Sequence, residues 1–508
     1  MAATDSADGE HLAALGYKQH LERSVGRFGS FAAGISYISI LTGTFQLFYF
    51  GLGSGGPAYW WSWPAVFLGQ LMVALCFAEL AARYPVAGSV YNWSKRLGGA
   101  TVSWLAGWTM LVASIVTLAA VVLAYQLTLP QIWSGFQLAG DGTGTYDYAV
   151  NAVILGTVLV FLTTLVNAYG VKLMTRINST GVIVELIAAV LLVVLLAVNA
   201  VRGPAVLTAT AGTGQGRDLG YLGAFLVASL ASGYVMYGFD TASSLGEETK
   251  DPRRTAPRAI LTALVASFAL GGLILLFALL AAPDLSDPAL AGSGGGLQLI
   301  ILQALGGNLG TIFLVCIALA ITVCALAVHT AAIRIMFAMA RDNNLPGGSR
   351  LAHVHPKYRT PVVPAVVIGV LAVLILVVNI RQPQIFTVVT SIAIILIYLA
   401  YLLVTVPMLV SRLRGTWRPD RTHFSLGRWG LPVNVVAVVW GAAMAINLGW
   451  PRREVYNAVE PYHWYLQWGG PLAVGGLTLL GLAYYTLRQR HLSGILPEHA
   501  AGPVPETT

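Results

Sequence analysis

The chain has 508 residues, of which 56% are apolar and only 10% charged, with a mean hydropathy of +0.73 and a formal net charge of +8. That balance excludes a disordered chain and an ordinary soluble globular protein. It points to a lipid bilayer, so the positive charge has to be judged by where it falls along the chain before nucleic-acid binding is invoked.

Residues 1–27 are polar and lack a charged start followed by a short apolar core, so they read as a cytoplasmic tail rather than a cleaved signal. Apolar runs of membrane-spanning length follow at about 28–51, 61–82, 104–129, 149–170, 177–201, 219–245, 257–282, 308–336, 362–380, 385–411, 430–450 and 467–487. The fold class is therefore an all-α polytopic membrane protein with about 12 transmembrane helices. Twelve spans put both termini on one side. That side carries 24 of the 29 Lys and Arg, and the other only Arg202, Arg217, Arg381, Arg452 and Arg453. Positive residues stay cytoplasmic during insertion, which predicts a multi-pass plasma-membrane protein with both tails inside. Nucleic acid is then an unnecessary partner.

Span 1 is interrupted by polar and small residues: Ser36, Ser39, Thr42, Gly43, Thr44 and Gln46. Hydroxyls compete for backbone groups and glycine weakens a helix. A break here would present free amides from about Thr42 to Phe45, at the positive end of the following half-helix, to a carboxylate. The bland alternative is a kink without a ligand. Span 2 opens on Trp60, Trp61 and Trp63, an interfacial aromatic belt. It ends on Glu79, four residues before Arg83, a spacing that predicts a structural pair. Gly51-Leu-Gly53-Ser-Gly-Gly56 matches a dinucleotide-binding pattern, but it follows a membrane helix and precedes no βαβ unit.

In span 5, Glu185 is the only charged side chain, nine residues after Arg176 and roughly 14 Å into the helix. Desolvation disfavours an ionised carboxylate, which would suit a proton-exchanging or cation-binding group. A permanent partnership with Arg334 or another neighbour is the structural alternative.

Span 6 is the most informative stretch. Gly233 and Gly238 weaken the helix midway, and Asp240 follows. Unwound backbone at membrane depth is tolerated where it is buried in protein or lines a cavity, and an intramembrane carboxylate marks a functional site. Carbonyls near Ser232, Gly233 and Tyr237 would accept from a substrate amine. Asp240 would attract a cation or order the unwound backbone. Two interrupted spans, five apart, are the signature of two inverted repeats with a small-molecule site between them. Glu247 and Glu248 are expected to meet Arg253, Arg254 or Arg258 in a cytoplasmic network. The loop around Gly292–Gly296 reads as a flexible linker.

His329 in span 8 is a proton-handling candidate, though a lone buried histidine is more often a neutral core group. Thr387, Thr390, Ser391 and Tyr398 give span 10 a polar stripe that would line a cavity or bond helix to helix. Cys76, Cys316 and Cys324 read as small buried hydrophobes. His353 and His355 lack acidic or Cys partners, so neither a metal nor a cofactor is predicted.

These residues resemble the amino acid–polyamine–organocation permease superfamily, most closely its amino acid/choline transporter branch. The resemblance rests on Ala78-Glu79-Leu80, Tyr84-Pro85-Val86-Ala87-Gly88-Ser89-Val90-Tyr91, Gly238-Phe239-Asp240, Glu247-Glu248-Thr249-Lys250-Asp251-Pro252, Ala256-Pro257-Arg258-Ala259-Ile260, Ala338-Met339-Ala340-Arg341-Asp342 and His355-Pro356-Lys357-Tyr358-Arg359-Thr360-Pro361. It covers roughly 28–411 and implies a five-plus-five inverted-repeat transport core, with repeats at about 28–201 and 219–411. Residues 412–492 add two helices and residues 493–508 a cytoplasmic tail. It also implies that Tyr234 is a gating aromatic. Three departures stand out: Leu41 where the family has the first glycine of its span 1 pattern, Glu185 where some proton-coupled relatives carry lysine, and Leu111 where some have a polar pocket residue.

The combined expectation is a secondary active permease, not an enzyme, importing an amino acid or a related amine such as GABA, a polyamine or choline. Its substrate site would draw on Ser39, Thr42, Gly43, Thr44, Ser232, Gly233, Tyr234, Tyr237, Asp240 and Thr390. Coupling to protons, or to another cation, would draw on Glu185 and His329. An exchanger and a non-transporting amine receptor are the alternatives, and oligomeric state is left open.

Overall fold

The computed structural model describes residues 2–501 except 218, 293, 382–384, 421, 458–459 and 461. A helix outside the core, α1 (Ala2–Ala14), precedes span 1, which is formed by α2 (Arg27–Ile38) and α3 (Ile40–Gly55). Then come α4 (Ser62–Arg83), α5 (Ser89–Val122), α6 (Ala124–Ile132), α7 (Asp147–Tyr169) and α8 (Val171–Val198). Span 6 is α9 (Tyr221–Val235) and the one-turn α10 (Thr241–Ser244), followed by α11 (Pro252–Ala281), the short α12 (Gly296–Leu305) and α13 (Gly307–Arg341). The one-turn α14 (Gly348–Leu351) leads to α15 (Val362–Val378), α16 (Ile385–Leu413), α17 (Gly430–Gly449), two further one-turn helices α18 (Arg453–Tyr456) and α19 (Trp464–Gln467), and α20 (Gly469–Leu487).

Among the described residues, ten helical stretches are long and apolar enough to cross a membrane. The shorter α9 and α15 account for spans 6 and 9, so each expected span coincides with helix. Two loops prove more ordered than composition suggests. α5 begins already at Ser89 and bends at Gly99, where φ is +78°. α12 starts at Gly296, directly after the expected linker.

Pairs of spans five apart pack on one another: α3 on α9, α4 on α11, α5 on α13, and α7 on α15. That is the packing expected of two repeats related by a twofold axis. Span 1 is almost wholly buried, whereas α8, α15, α17 and α20 turn Leu191, Val370, Val439 and Leu479 outward. With lipid as solvent, such outward apolar side chains need no partner.

The end of the bundle expected to face the cytoplasm is sealed. Arg341 of α13 pairs with Glu247 at 2.8 Å and Arg334 with Glu248 at 2.7 Å, all four side chains buried. The two glutamates therefore reach across to span 8 and not to Arg253, Arg254 or Arg258, because the chain turns inward before α11 starts. Glu79 likewise pairs with Arg412 rather than Arg83, and accepts from Ser425 Oγ at 3.2 Å. A helix-surface spacing rule loses when a buried carboxylate can face a cation from another span.

Both terminal segments lie across this seal. Tyr17 bridges Ala500 in antiparallel fashion and Val25 bridges Thr249 in parallel. Lys18 N donates to the His499 carbonyl at 3.0 Å, and Leu496 N to that of Arg341 at 2.8 Å. The Arg341 guanidinium sits 3.8 Å above the Tyr17 ring, whose hydroxyl reaches Asp342 at 3.1 Å. The expected tail of 493–508 is thus docked as far as residue 501. Residues 502–508, like residue 1, lie outside the described residues.

Candidate substrate and coupling site

Span 1 breaks at Ser39, where φ is +42° and ψ +101°. That is three residues before the expected Thr42–Phe45, which lie inside α3. Gly43 does not interrupt the helix. Its missing Cβ instead lets α3 approach α9, since a methyl there would stand 2.8 Å from Val235 Cγ1. Thr42 and Thr44 are also helical, the latter donating to the Ile40 carbonyl at 2.5 Å.

The amides freed at the start of α3 are already taken. Glu185 of α8 accepts from Leu41 N at 3.1 Å and lies 2.8 Å from Ser39 Oγ through the same oxygen, Oε1. Ser39 Oγ in turn accepts from Thr42 N at 3.3 Å and stands 2.6 Å from Thr42 Oγ1. A carboxylate at a helix N-terminus satisfies orphan N–H groups and complements the positive end of the dipole. The structure therefore fills the expected anion position with a side chain from another span. Arg334, the suspected partner of Glu185, is committed to Glu248.

Span 6 unwinds between Val235 and Thr241, with Gly238 at φ +86°. Only glycine fits there: a Cβ would fall 1.9 Å from the Tyr37 ring. Tyr237 N turns to the Val235 carbonyl and Gly238 N to the Tyr401 hydroxyl. The Gly233 and Tyr234 carbonyls consequently lose their helical donors. The Ser232 carbonyl keeps one, Met236 N, and the Ser232 hydroxyl is 2.6 Å from Ser62 of α4.

Asp240 is fully buried and both its oxygens are engaged, Oδ1 by Tyr401 Oη at 2.5 Å and Oδ2 by Ser89 Oγ at 3.0 Å. Its own carbonyl accepts from Ser243 N and Ser244 N. This is the geometry of a group that orders unwound backbone. His329 is also fully partnered, with Nδ1 at 3.0 Å from Thr163 Oγ1 and Nε2 at 3.0 Å from the Ala365 carbonyl. It joins spans 4, 8 and 9, as a core histidine would.

Beside the breaks lies a group that sequence reasoning overlooked. The Tyr37 hydroxyl neighbours those of Ser114 and Thr117 in α5, and Tyr237 also neighbours Thr117. The rings of Tyr37 and Tyr234 stand 6.1 and 5.9 Å from that of Tyr237. The buried hydroxyls of Tyr37, Ser114 and Thr117 crowd together, and neither they nor that of Tyr234 reach well-formed hydrogen-bond geometry among the described residues. Buried polar atoms are rarely left so, and a cluster of them marks a place for water or a ligand. Thr390 Oγ1, on α16, has no partner among the described residues either, and Tyr398 Oη, beside Gln70, lies close to Gly233. The signal was present in the sequence: Ser114 and Thr117 are hydroxyls three apart in an otherwise aliphatic run, one helical turn beyond Leu111.

Comparison with known proteins identifies the family. The amino acid permease family model matches residues 25–474. The amino-acid permease BAT1 of Arabidopsis thaliana is 27% identical, with 94% of each chain covered. The branched-chain amino acid permease BcaP of Bacillus subtilis is 28% identical over 72% of this chain and 76% of its own. The methylthioribose transporter of the same organism is 29% identical over 69% and 74%. A chain with two broken spans, a polar cluster between them and a family match across nearly its whole length belongs to the amino acid permease family and is an amino acid transporter.

Proposed function

We propose that this chain imports neutral amino acids across the plasma membrane by proton-coupled alternating access, with both termini in the cytoplasm. The observation that carries the coupling is Glu185 capping the broken end of span 1. An ionised carboxylate holds Leu41 N and Ser39 Oγ through charge-assisted hydrogen bonds, which are about twice as strong as neutral ones. Protonation weakens that cap and so biases the joint between α2 and α3. A proton arriving at Glu185 thereby favours one arrangement of the repeats, 28–201 and 219–411, over the other.

The substrate lies beside the breaks. Its ammonium group is received by the Gly233 and Tyr234 carbonyls, and its carboxylate by hydroxyls among Tyr37, Ser114 and Thr117, with Tyr234 and Tyr237 closing over it. Ser39, Thr42, Gly43 and Thr44 shape this site from span 1, and Thr390 borders it from span 10. Neutral amino acids are favoured over polyamines, choline and dibasic amino acids because Asp240 and Glu185 are both committed to the scaffold. The relative described as a branched-chain amino acid permease agrees with that preference.

Purified protein in liposomes, given labelled amino acids under an imposed inward proton gradient, tests the proposal. Wild type should accumulate neutral amino acids. Glu185→Gln should exchange internal for external substrate while losing at least about tenfold of gradient-driven accumulation, a factor equal to about 1.4 kcal/mol of coupling. Undiminished accumulation by that variant would remove Glu185 from the coupling role. Spermidine or lysine outcompeting leucine and threonine would overturn the substrate class. Binding without flux would favour the receptor reading.

A further inference from the structure

We propose that the groove between α2 and α11 binds the phosphate of an anionic phospholipid. Arg27 opens α2, and Arg254 and Arg258 lie four residues apart on one face of the first turns of α11. With Phe31, Thr255, Ala259 and Thr262 they line a shallow groove open to the surroundings. Four other arginines at this end are spent: Arg253 on Asp420, Arg334 on Glu248, Arg341 on Glu247 and Arg412 on Glu79. The side chains of Arg27, Arg254 and Arg258 make no ion pair or hydrogen bond among the described residues. Arg27, Arg254 and Arg258 thus border one groove as three exposed cations that pair with no carboxylate among the described residues, and arginine's planar fork suits a phosphate.

The surroundings select a lipid over a free ion. The face of α11 that carries the two arginines continues by helical spacing through Thr262 to Val265, which is 46% exposed, and Phe28 beside Arg27 is 43% exposed. A charged mouth continuing into an apolar, outward-facing track matches a headgroup with its acyl chain. Basic pockets between helices at the cytoplasmic surface, where anionic lipids collect, are where such headgroups bind. The assignment rests on the orientation proposed above. It also gives α2, the first half of the broken span, a non-protein tie to α11.

The test is thermal unfolding of the full chain in a neutral detergent, titrated with phosphatidylglycerol, phosphatidylcholine or inorganic phosphate. Phosphatidylglycerol alone should raise the midpoint. Arg254→Gln or Arg258→Gln should weaken its apparent affinity about fivefold each, and R27Q/R254Q/R258Q should abolish the shift. If the triple variant does not fold, the single variants decide. An equal shift with phosphatidylcholine, no shift with any lipid, or an unchanged shift in the variants overturns the site. An equal shift with inorganic phosphate assigns the groove to a soluble anion and overturns the lipid. Amino acid flux in neutral-lipid vesicles is read separately, so a failed lipid site and a failed transporter assignment give different results.

Discussion

The two broken spans solve one problem in opposite ways. Span 1 breaks at a single residue, Ser39, and the exposed helix end is capped by Glu185, a group from another span. Span 6 unwinds over several residues around Gly238, and its own Asp240 is clamped by Tyr401 and Ser89. In the first, the carboxylate belongs to a different helix, so the joint depends on how the two helices sit and on the charge of the group between them. In the second, carboxylate and unwound backbone belong to the same span, and Tyr401 and Ser89 hold the carboxylate from two others. The proposed transport cycle uses both, span 1 as the joint that responds and span 6 as the shelf that offers carbonyls to the substrate.

If the shelf is the rigid member, damage there should be structural. Gly238→Ala places a methyl inside the Tyr37 ring and forces a left-handed backbone on alanine, at a cost of about 4 kcal/mol. Thermal unfolding in detergent should show a large loss of folded protein, and a near-normal midpoint would contradict the rigid shelf. Tyr401→Phe removes the donor to Asp240 and the acceptor for Gly238 N, for about 2–3 kcal/mol by the same measurement. The span 1 joint should be gentler on stability and harder on coupling. Ser39→Ala deletes one cap and should cost about 1 kcal/mol, while shifting the pH dependence of uptake relative to wild type. A Ser39→Ala protein as destabilised as Tyr401→Phe, with an unaltered pH profile, would erase the distinction.

The number of spans, the two interruptions and the buried carboxylates were legible because hydrocarbon tolerates neither polar backbone nor unpaired charge without cause. The position of the first break was not. Gly43 looked like its centre, but the glycine serves the close crossing with Val235, and the irregular backbone falls on Ser39. Partnerships were the least visible. Tyr401 lies 161 residues from Asp240, and Ser39 lies 146 from Glu185. Local spacing paired Glu79 with Arg83, whereas the fold brings up Arg412. Hydrophobic periodicity reports which face of a helix is buried, and it carries no information on which helix will face it.

The crossing of the two terminal segments bears on biosynthesis. Ala501 N donates to the Gly16 carbonyl, and Leu496 anchors on Arg341. A ribosome that has inserted every other span still holds back one half of this clasp, so its closure is among the last events of maturation. Until then the Arg341–Glu247 pair lacks the cover that Tyr17 and Leu496 give it.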